Sequence, residues 1–352
     1  MDFRDHRLVD LAAQVRSREL SAREVVEGAL ARIEELEPKL NAFVAIDGDR
    51  AMADAAMIDE RLVNEEGVGP LAGMPLAVKD LEDVAGFPTR YGSVLSSDAP
   101  AAGDSVLVAR LRAAGCIVVG KTTTPEYGHK GVTESTLSGV TRNPWRLDRS
   151  PGGSSGGSGA ALASGMVPLA TGSDGGGSIR IPAALGGLSG IKTTQGRVPN
   201  GGPNPPGSGL LSVKGPMATR IDDVVFALDM CVGPHPTDPF SLPRSGAPWY
   251  DAMISKRLPS SVAWSPTLGY ADVDAEIASI CQAAVDRLAG EGTDVAVVDE
   301  VWATDPVGPW ITMWVASRAR TQGYLLGTPD FDKVTPSLQQ QIEMGMTLDA
   351  AD

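Results

Sequence analysis

Two serine clusters set in glycine dominate this chain: Gly152-Gly153-Ser154-Ser155-Gly156-Gly157 and, further on, Asp174-Gly175-Gly176-Gly177-Ser178. Glycine lacks Cβ, so its backbone reaches positive φ cheaply and approaches other groups closely. Any fold for this sequence must therefore bring backbone tightly against something at two places. Successive N–H groups in such a loop can converge on one oxyanion. The candidates here are those of Gly175, Gly176, Gly177 and Ser178. A hydroxyl beside them is a nucleophile if another group takes its proton. Residues alone leave an ordinary glycine-rich turn open as the second reading. A flexible linker over 152–159 fits less well, because the stretch runs straight into an Ala-rich helical pattern and an apolar strand.

The surrounding sequence alternates helical and strand patterns. Ser21 with Glu24 three residues on forms a capping box, and apolar residues then recur at helical spacing until Pro38, the expected stop. Residues 105–114 predict a helix with Asp104 as N-cap and Gly115 as stop. Cys116-Ile117-Val118-Val119 predicts a buried strand, 158–164 a tightly packed helix and 166–171 a strand. Helices are expected over 221–231 and 274–288, with a strand over 294–298. This order indicates an α/β protein whose mixed sheet is covered by helices. Segment 199–209 reads as an ordered surface loop, and Pro-rich 234–248 as a lid or connection.

With 352 residues the chain can bury a large core, and its 42% hydrophobic content is ordinary for a globular protein. The net charge of −14 argues against nucleic acid or an anionic membrane surface as partner. It leaves a homodimer open. Cys116, Cys231 and Cys281 are scattered and lie in apolar patterns, which predicts buried free thiols in a reducing, cytoplasmic setting. No cysteine–histidine cluster has metal-ligand spacing. The charged N-terminus shows no signal peptide, and no apolar run is long enough to span a bilayer.

Lys79 ends the apolar run Met74-Pro75-Leu76-Ala77-Val78. A lysine in water titrates near ~10.4 and is a poor base. Desolvation would make it usable, whereas a solvated strand-end lysine is the plain alternative. Two other patterns compete. Residues 115–122 match G-x-x-x-x-G-K-[ST], but their middle is a strand rather than a phosphate loop. Residues 152–156 match G-x-S-x-G, which requires a downstream histidine. Only His235 follows, in a Pro-rich surface segment, and His129 reads as a satisfied structural histidine.

The stretch Ser150-Pro151-Gly152-Gly153-Ser154-Ser155-Gly156-Gly157-Ser158-Gly159-Ala160 closely resembles the signature of the amidase signature hydrolases. Gly172-Ser173-Asp174-Gly175-Gly176-Gly177-Ser178-Ile179-Arg180-Ile181-Pro182-Ala183 resembles its second half, and Pro75-Leu76-Ala77-Val78-Lys79-Asp80 its upstream lysine motif. Order and spacing also agree, and the likeness runs from about residue 10 to 232 and more weakly beyond.

The resemblance implies an amidase signature fold, α/β, with a mixed sheet covered by helices on both faces, over residues 1–352 as one domain. It implies Ser178 as acyl-forming nucleophile, with Lys79 and Ser154 as the proton relay and a cis peptide between Gly153 and Ser154. Ser155 supports the relay. Asp174 and Arg180 orient the glycine loop or form a structural ion pair. Gly128 corresponds to a substrate-contacting position, where glycine is expected to enlarge the pocket. The implied reaction is hydrolysis of a small-molecule amide, with no cofactor or metal. The glutaminase subunit of a tRNA-dependent amidotransferase is the alternative, though such subunits usually carry glutamine where Ile181 stands. Relatives usually continue well past residue 352, and 337–352 reads as an uncapped helix, so a C-terminally truncated chain and an inactive remnant are also expectations.

Overall fold

The computed structural model describes residues 1–201 and 211–349. Most of segment 199–209 therefore lies outside the described residues.

A six-stranded mixed sheet forms the centre. Strand Phe43–Ile46 lies at one edge, antiparallel to Ile117–Thr122, which runs parallel to Pro75–Lys79. Pro75–Lys79 in turn pairs in parallel with Leu169–Asp174. Beyond it, Val213–Ala218 and then Ser189–Gly190 pair antiparallel. Every residue of Pro75–Lys79, Ile117–Thr122 and Leu169–Asp174 is buried. Successive strand residues point to opposite faces, so both faces of the sheet are covered. Because Pro75–Lys79 and Leu169–Asp174 run the same way, Lys79 and Asp174 reach the same end of the sheet. The glycine loop after Asp174 opens there, outside the carboxyl ends of the strands, where ligands of open α/β sheets bind.

Helix Gly156–Ala163 is buried at every residue despite three glycines. Intrinsic propensity disfavours it, and tertiary packing overrides the propensity. A Cβ at Gly157 would stand 2.5 Å from Ala42 O and Thr123 N. The glycines thus let this helix sit directly on the strand ends.

Several expectations hold. Ser21 caps Ala22–Leu40 with a reciprocal Glu24 box. Ile221–Cys231 is helical, and Asp274 caps Ala275–Gly290. Residues 234–248 connect Ile221–Cys231 to the helix Trp249–Ile254.

Others need correction. Pro38 does not stop its helix, which continues to Leu40. It sits in the last turn, where it forfeits a single helical bond, and the Asn41 N–H to Glu37 O bond (2.9 Å) closes the helix behind it. Asp104 is not the cap of Val106–Ala113; Ser105 holds that position. Asp104 instead accepts from the Ala85 N–H at 2.8 Å and pairs with Arg112. Cys116 and Cys231 are buried, but Cys281 is exposed, because its helix Ala275–Gly290 has no buried residue. The final helix is closed: Pro336–Met346 begins with proline in its first turn and ends where the Thr347 hydroxyl donates to Met344 O at 2.7 Å.

Replacing Gly157 by Ala should destabilise the protein by about 2 kcal/mol, since overpacking against backbone outweighs the helix-propensity gain. Urea denaturation measures it, and an unchanged midpoint would contradict the close approach.

Candidate active site

Lys79 is the last residue of a strand buried on both faces, so its amine has no route to water. Nζ instead meets three hydroxyl oxygens: Ser154 Oγ at 2.7 Å, Ser155 Oγ at 2.8 Å and Ser173 Oγ at 2.9 Å. Its backbone N–H donates to Thr171 Oγ1 at 2.9 Å. Thr171 and Ser173 alternate along one strand and so share a face. An ammonium would donate to all three oxygens. A neutral amine donates to two and accepts from the third. Burial pushes the amine from 10.5 down to about 7, against the opposing pull of Glu82 and Asp174. The neutral form is therefore available at ordinary pH, which the solvated alternative would not allow.

The peptide between Gly153 and Ser154 is cis, as expected. The Ser155 N–H donates to Ser178 O at 3.2 Å, which brings the two glycine clusters together. The Ser154 and Ser178 hydroxyls themselves are not hydrogen-bonded to each other among the described residues. Gly128 adopts φ +65°, and a Cβ there would meet Leu81 Cδ1 at 2.8 Å and Ser154 Oγ at 3.1 Å. Glycine at 128 thus permits the turn to lie against Ser154, rather than merely widening a pocket.

Asp174 shapes the loop. Its buried carboxylate accepts from the Gly177 N–H at 2.7 Å and from the N–H groups of Ile179 and Arg180. Arg180 Nε and Nη2 both reach it at 2.9 Å in a forked pair. Burial pushes this carboxyl up, but the Arg180 guanidinium and the loop N–H groups outweigh it and hold it below the usual range. One expectation is thereby corrected. The Gly177 N–H, at φ +123°, is turned onto Asp174 and is not open to an oxyanion. Among the described residues, the N–H groups of Gly175, Gly176 and Ser178 have no acceptor.

Three features escape a reading of the sequence. Ser173 supplies the third hydroxyl on Lys79; its alternation with Thr171 along the strand is the available signal. Glu82, paired with Lys214 at 2.8 Å, contributes negative field at Lys79. Trp310 and Trp314, far along the chain, pack on the glycine loop, and Trp310 Nε1 donates to Gly175 O at 2.9 Å. The competing patterns fail structurally. Residues 117–122 are strand, with Lys121 buried against Asp80 at 2.8 Å rather than open to a phosphate. His129 Nδ1–H donates to Glu126 O and Nε2 meets Ser337 Oγ, both at 2.7 Å, and burial lowers the imidazole to about 4. His235 bonds Thr237 within its own loop. Among the described residues no cluster of three or more histidine, cysteine, aspartate or glutamate side chains is placed to hold a metal ion.

Fold and site define an α/β protein with a buried lysine–serine cluster beneath a glycine loop at the sheet's carboxyl end. The chain belongs to the amidase family: the family profile named Amidase matches residues 24–342. It is 38% identical over 317 residues to an acylamidase of Rhodococcus erythropolis, covering 88% of this chain and 65% of that one. It is 38% identical over 309 residues to an indoleacetamide hydrolase of Bradyrhizobium diazoefficiens, covering 86% of this chain and 57% of the relative. Glutamyl-tRNA(Gln) amidotransferase of Synechococcus sp. (strain CC9605) contains a chain 43% identical over 238 residues, covering 68% of this chain and 48% of the relative. A solved bacterial aryl acylamidase of the amidase signature family superposes with TM-score 0.91 at 30% identity, over 98% of this chain and 73% of that chain. The chain thus spans about half to two thirds of the length of these curated relatives.

A lysine that must be neutral to accept a proton loses that capacity as pH falls. Covalent labelling of the site serine by a fluorophosphonate should therefore slow below pH about 7 and level off above it. A rate flat from pH 5 to 9 would contradict a titrating Lys79 (the range being chosen to bracket about 7).

Proposed function

We propose that this protein hydrolyses the carboxylic amide bond of a small molecule, releasing acid and amine or ammonia through a serine acyl-enzyme. The reading rests on one observation above all: the buried Lys79 amine within 2.7–2.9 Å of three serine hydroxyls. Neutral Lys79 takes the Ser154 proton while Ser154 takes that of Ser178. The freed Ser178 oxygen attacks the substrate carbonyl. N–H groups of Gly175, Gly176 and Ser178 stabilise the oxyanion, and each such donor is worth about 3 kcal/mol at a transition state. The relay run backwards protonates the leaving nitrogen, and water then cleaves the acyl-enzyme. Catalytic hydrogen bonds are often open without substrate, so the unmade Ser154–Ser178 contact is one for substrate to close. Asp174 and Arg180 act as positioning residues by fixing the loop, and Ser155 by holding the amine. Gly128 lets the substrate-side turn rest on Ser154.

The chemistry calls on no metal or cofactor. The relatives' names favour amide substrates, and Ile181, where amidotransferase subunits usually carry glutamine, favours a self-sufficient amidase. A cytoplasmic location belongs to the same reading, supported by the two buried free thiols, and the acidic charge is compatible with a homodimer. No helix among the described residues is long and apolar enough to cross a membrane.

Fluorophosphonate labelling with the modified peptide mapped by mass spectrometry tests the assignment. The expected adduct is on Ser178, with labelling at least about a hundredfold slower in Lys79→Ala, as for loss of a general base. An adduct on Ser154 would overturn the roles. No adduct on folded protein would favour the inactive remnant, and glutamine-specific hydrolysis with a copurifying partner would favour the amidotransferase reading.

A further inference from the structure

We infer that Trp310 is a positioning residue that aims the Gly176 N–H of the oxyanion loop. The inference rests on the proposed role of Ser178 as nucleophile. Helix Val307–Gln322 presents Trp310, Trp314 and Arg318 at i, i+4 and i+8, along one face. The two indoles stack with centroids 5.3 Å apart, and the Arg318 guanidinium lies 4.2 Å from the Trp314 ring centroid.

The two indole N–H groups differ in what they hold. That of Trp314 donates to Gln341 Oε1 at 3.1 Å, a bond between two helices. That of Trp310 donates to Gly175 O at 2.9 Å, a bond to the loop. Gly175 O and the Gly176 N–H belong to one peptide plane, and the only cis peptide among the described residues is Gly153–Ser154. In a trans peptide the carbonyl and the N–H point in opposite directions. Fixing the carbonyl toward Trp310 therefore fixes the Gly176 N–H away from it. The ring also packs directly on the next residue: a Cβ at Gly176 would come within 2.4 Å of Trp310 Cζ2. A glycine-rich loop has little intrinsic preference between the two peptide orientations. The loop thus has an external latch on its Gly175–Gly176 peptide and an internal one, Asp174, on the Gly177 N–H. A purely space-filling aromatic would need no donor, and half-buried Trp310 supplies one aimed at the loop.

The test compares W310F, which keeps an aromatic ring and loses the donor, with W314F, which alters the same stack but not the bond to the loop. Fluorophosphonate inactivation is read as separate kinact and KI, alongside the melting temperature. In W310F kinact should fall at least about tenfold with KI nearly unchanged, because an oxyanion donor acts mainly in the transition state. W314F should lose less kinact than W310F, since the Trp314 ring also packs on Gly175 but its N–H bonds Gln341 rather than the loop. Wild-type kinact in W310F, or equal losses in both variants, would overturn the latch while leaving Ser178 as nucleophile. Wild-type protein that takes no label would instead overturn the nucleophile, and the latch with it. Should W310F fail to fold, W310Q and W310L decide: both lose the ring and only glutamine retains an N–H donor. A higher kinact in W310Q supports the latch, and equal values overturn it.

Discussion

Burial of the Lys79 amine is the constraint on which the site depends. A cation taken out of water is costly unless it is paired. This molecule contains the two solutions side by side. Lys121 and Lys79 lie on neighbouring parallel strands, where Val78 pairs with Lys121 and Lys79 with Thr122. Both side chains are fully buried. Lys121 is met by the Asp80 carboxylate at 2.8 Å, which compensates its charge and ties the two strand ends together. Lys79 is met only by neutral hydroxyls, with carboxylates acting from further away. The first arrangement secures a cation; the second leaves the amine near neutrality. A single register step in the sheet thus separates a paired, charged lysine from one held near neutrality.

Glycine does the complementary work, and the reason is space rather than mobility. Gly157 admits the Ala42 and Thr123 backbone, Gly128 admits Ser154, and Gly175 and Gly176 admit the tryptophan rings. Each close approach packs backbone or ring tightly at the carboxyl end of the sheet. Lower local polarity strengthens the charge-assisted bonds of Asp174, which in turn hold the loop that the glycines made adaptable. Loop shape and amine protonation therefore share one cause, the density of packing at the carboxyl end of the sheet.

Much of this is legible in sequence, and the boundary is physical. Lys79, Ser154 and the Asp174–Ser178 loop sit within contiguous motifs whose residue types declare their chemistry. Within the first 230 residues the helices Ala22–Leu40, Val106–Ala113 and Ile221–Cys231 and the strands Ile117–Thr122 and Leu169–Asp174 follow from periodicity and capping, whereas Leu8–Arg16, Gly48–Val63 and Val213–Ala218 are not among the expected elements. What cannot be read depends on partners joined only by topology. Ser173 looks like any strand serine until the Pro75–Lys79 register sets it beside Nζ. Trp310 meets Gly175 across 135 residues, which no local pattern encodes. Adjacency suggests the Gly177 N–H as an oxyanion donor, whereas the Asp174 carboxylate three residues earlier competes for the same donor and wins. Pro38 and Cys281 show the same limit: a helix end is decided by the bonds beyond it, and burial by what covers the helix.

The loop's dependence on a distant helix also follows a continuous route. Trp314 bonds Gln341, whose amide reaches His129 O at 3.4 Å. His129 Nε2 meets Ser337 Oγ, and Glu126 accepts from the Thr335 N–H at 2.7 Å while its other oxygen accepts from Ser93. Arg318 donates to Tyr127 O at 3.2 Å. The helices Val307–Gln322 and Pro336–Met346 are thus tied to the 126–129 turn, and that turn rests on Ser154 through Gly128. The same helical pair therefore touches both halves of the site: the proposed oxyanion loop through Trp310, and the proposed proton relay through the turn. Rigid elements hold reacting groups more accurately than loops do, and here two loops acquire that rigidity from helices they do not border in sequence. The glycine clusters carry the proposed chemistry, but their geometry is set from outside them.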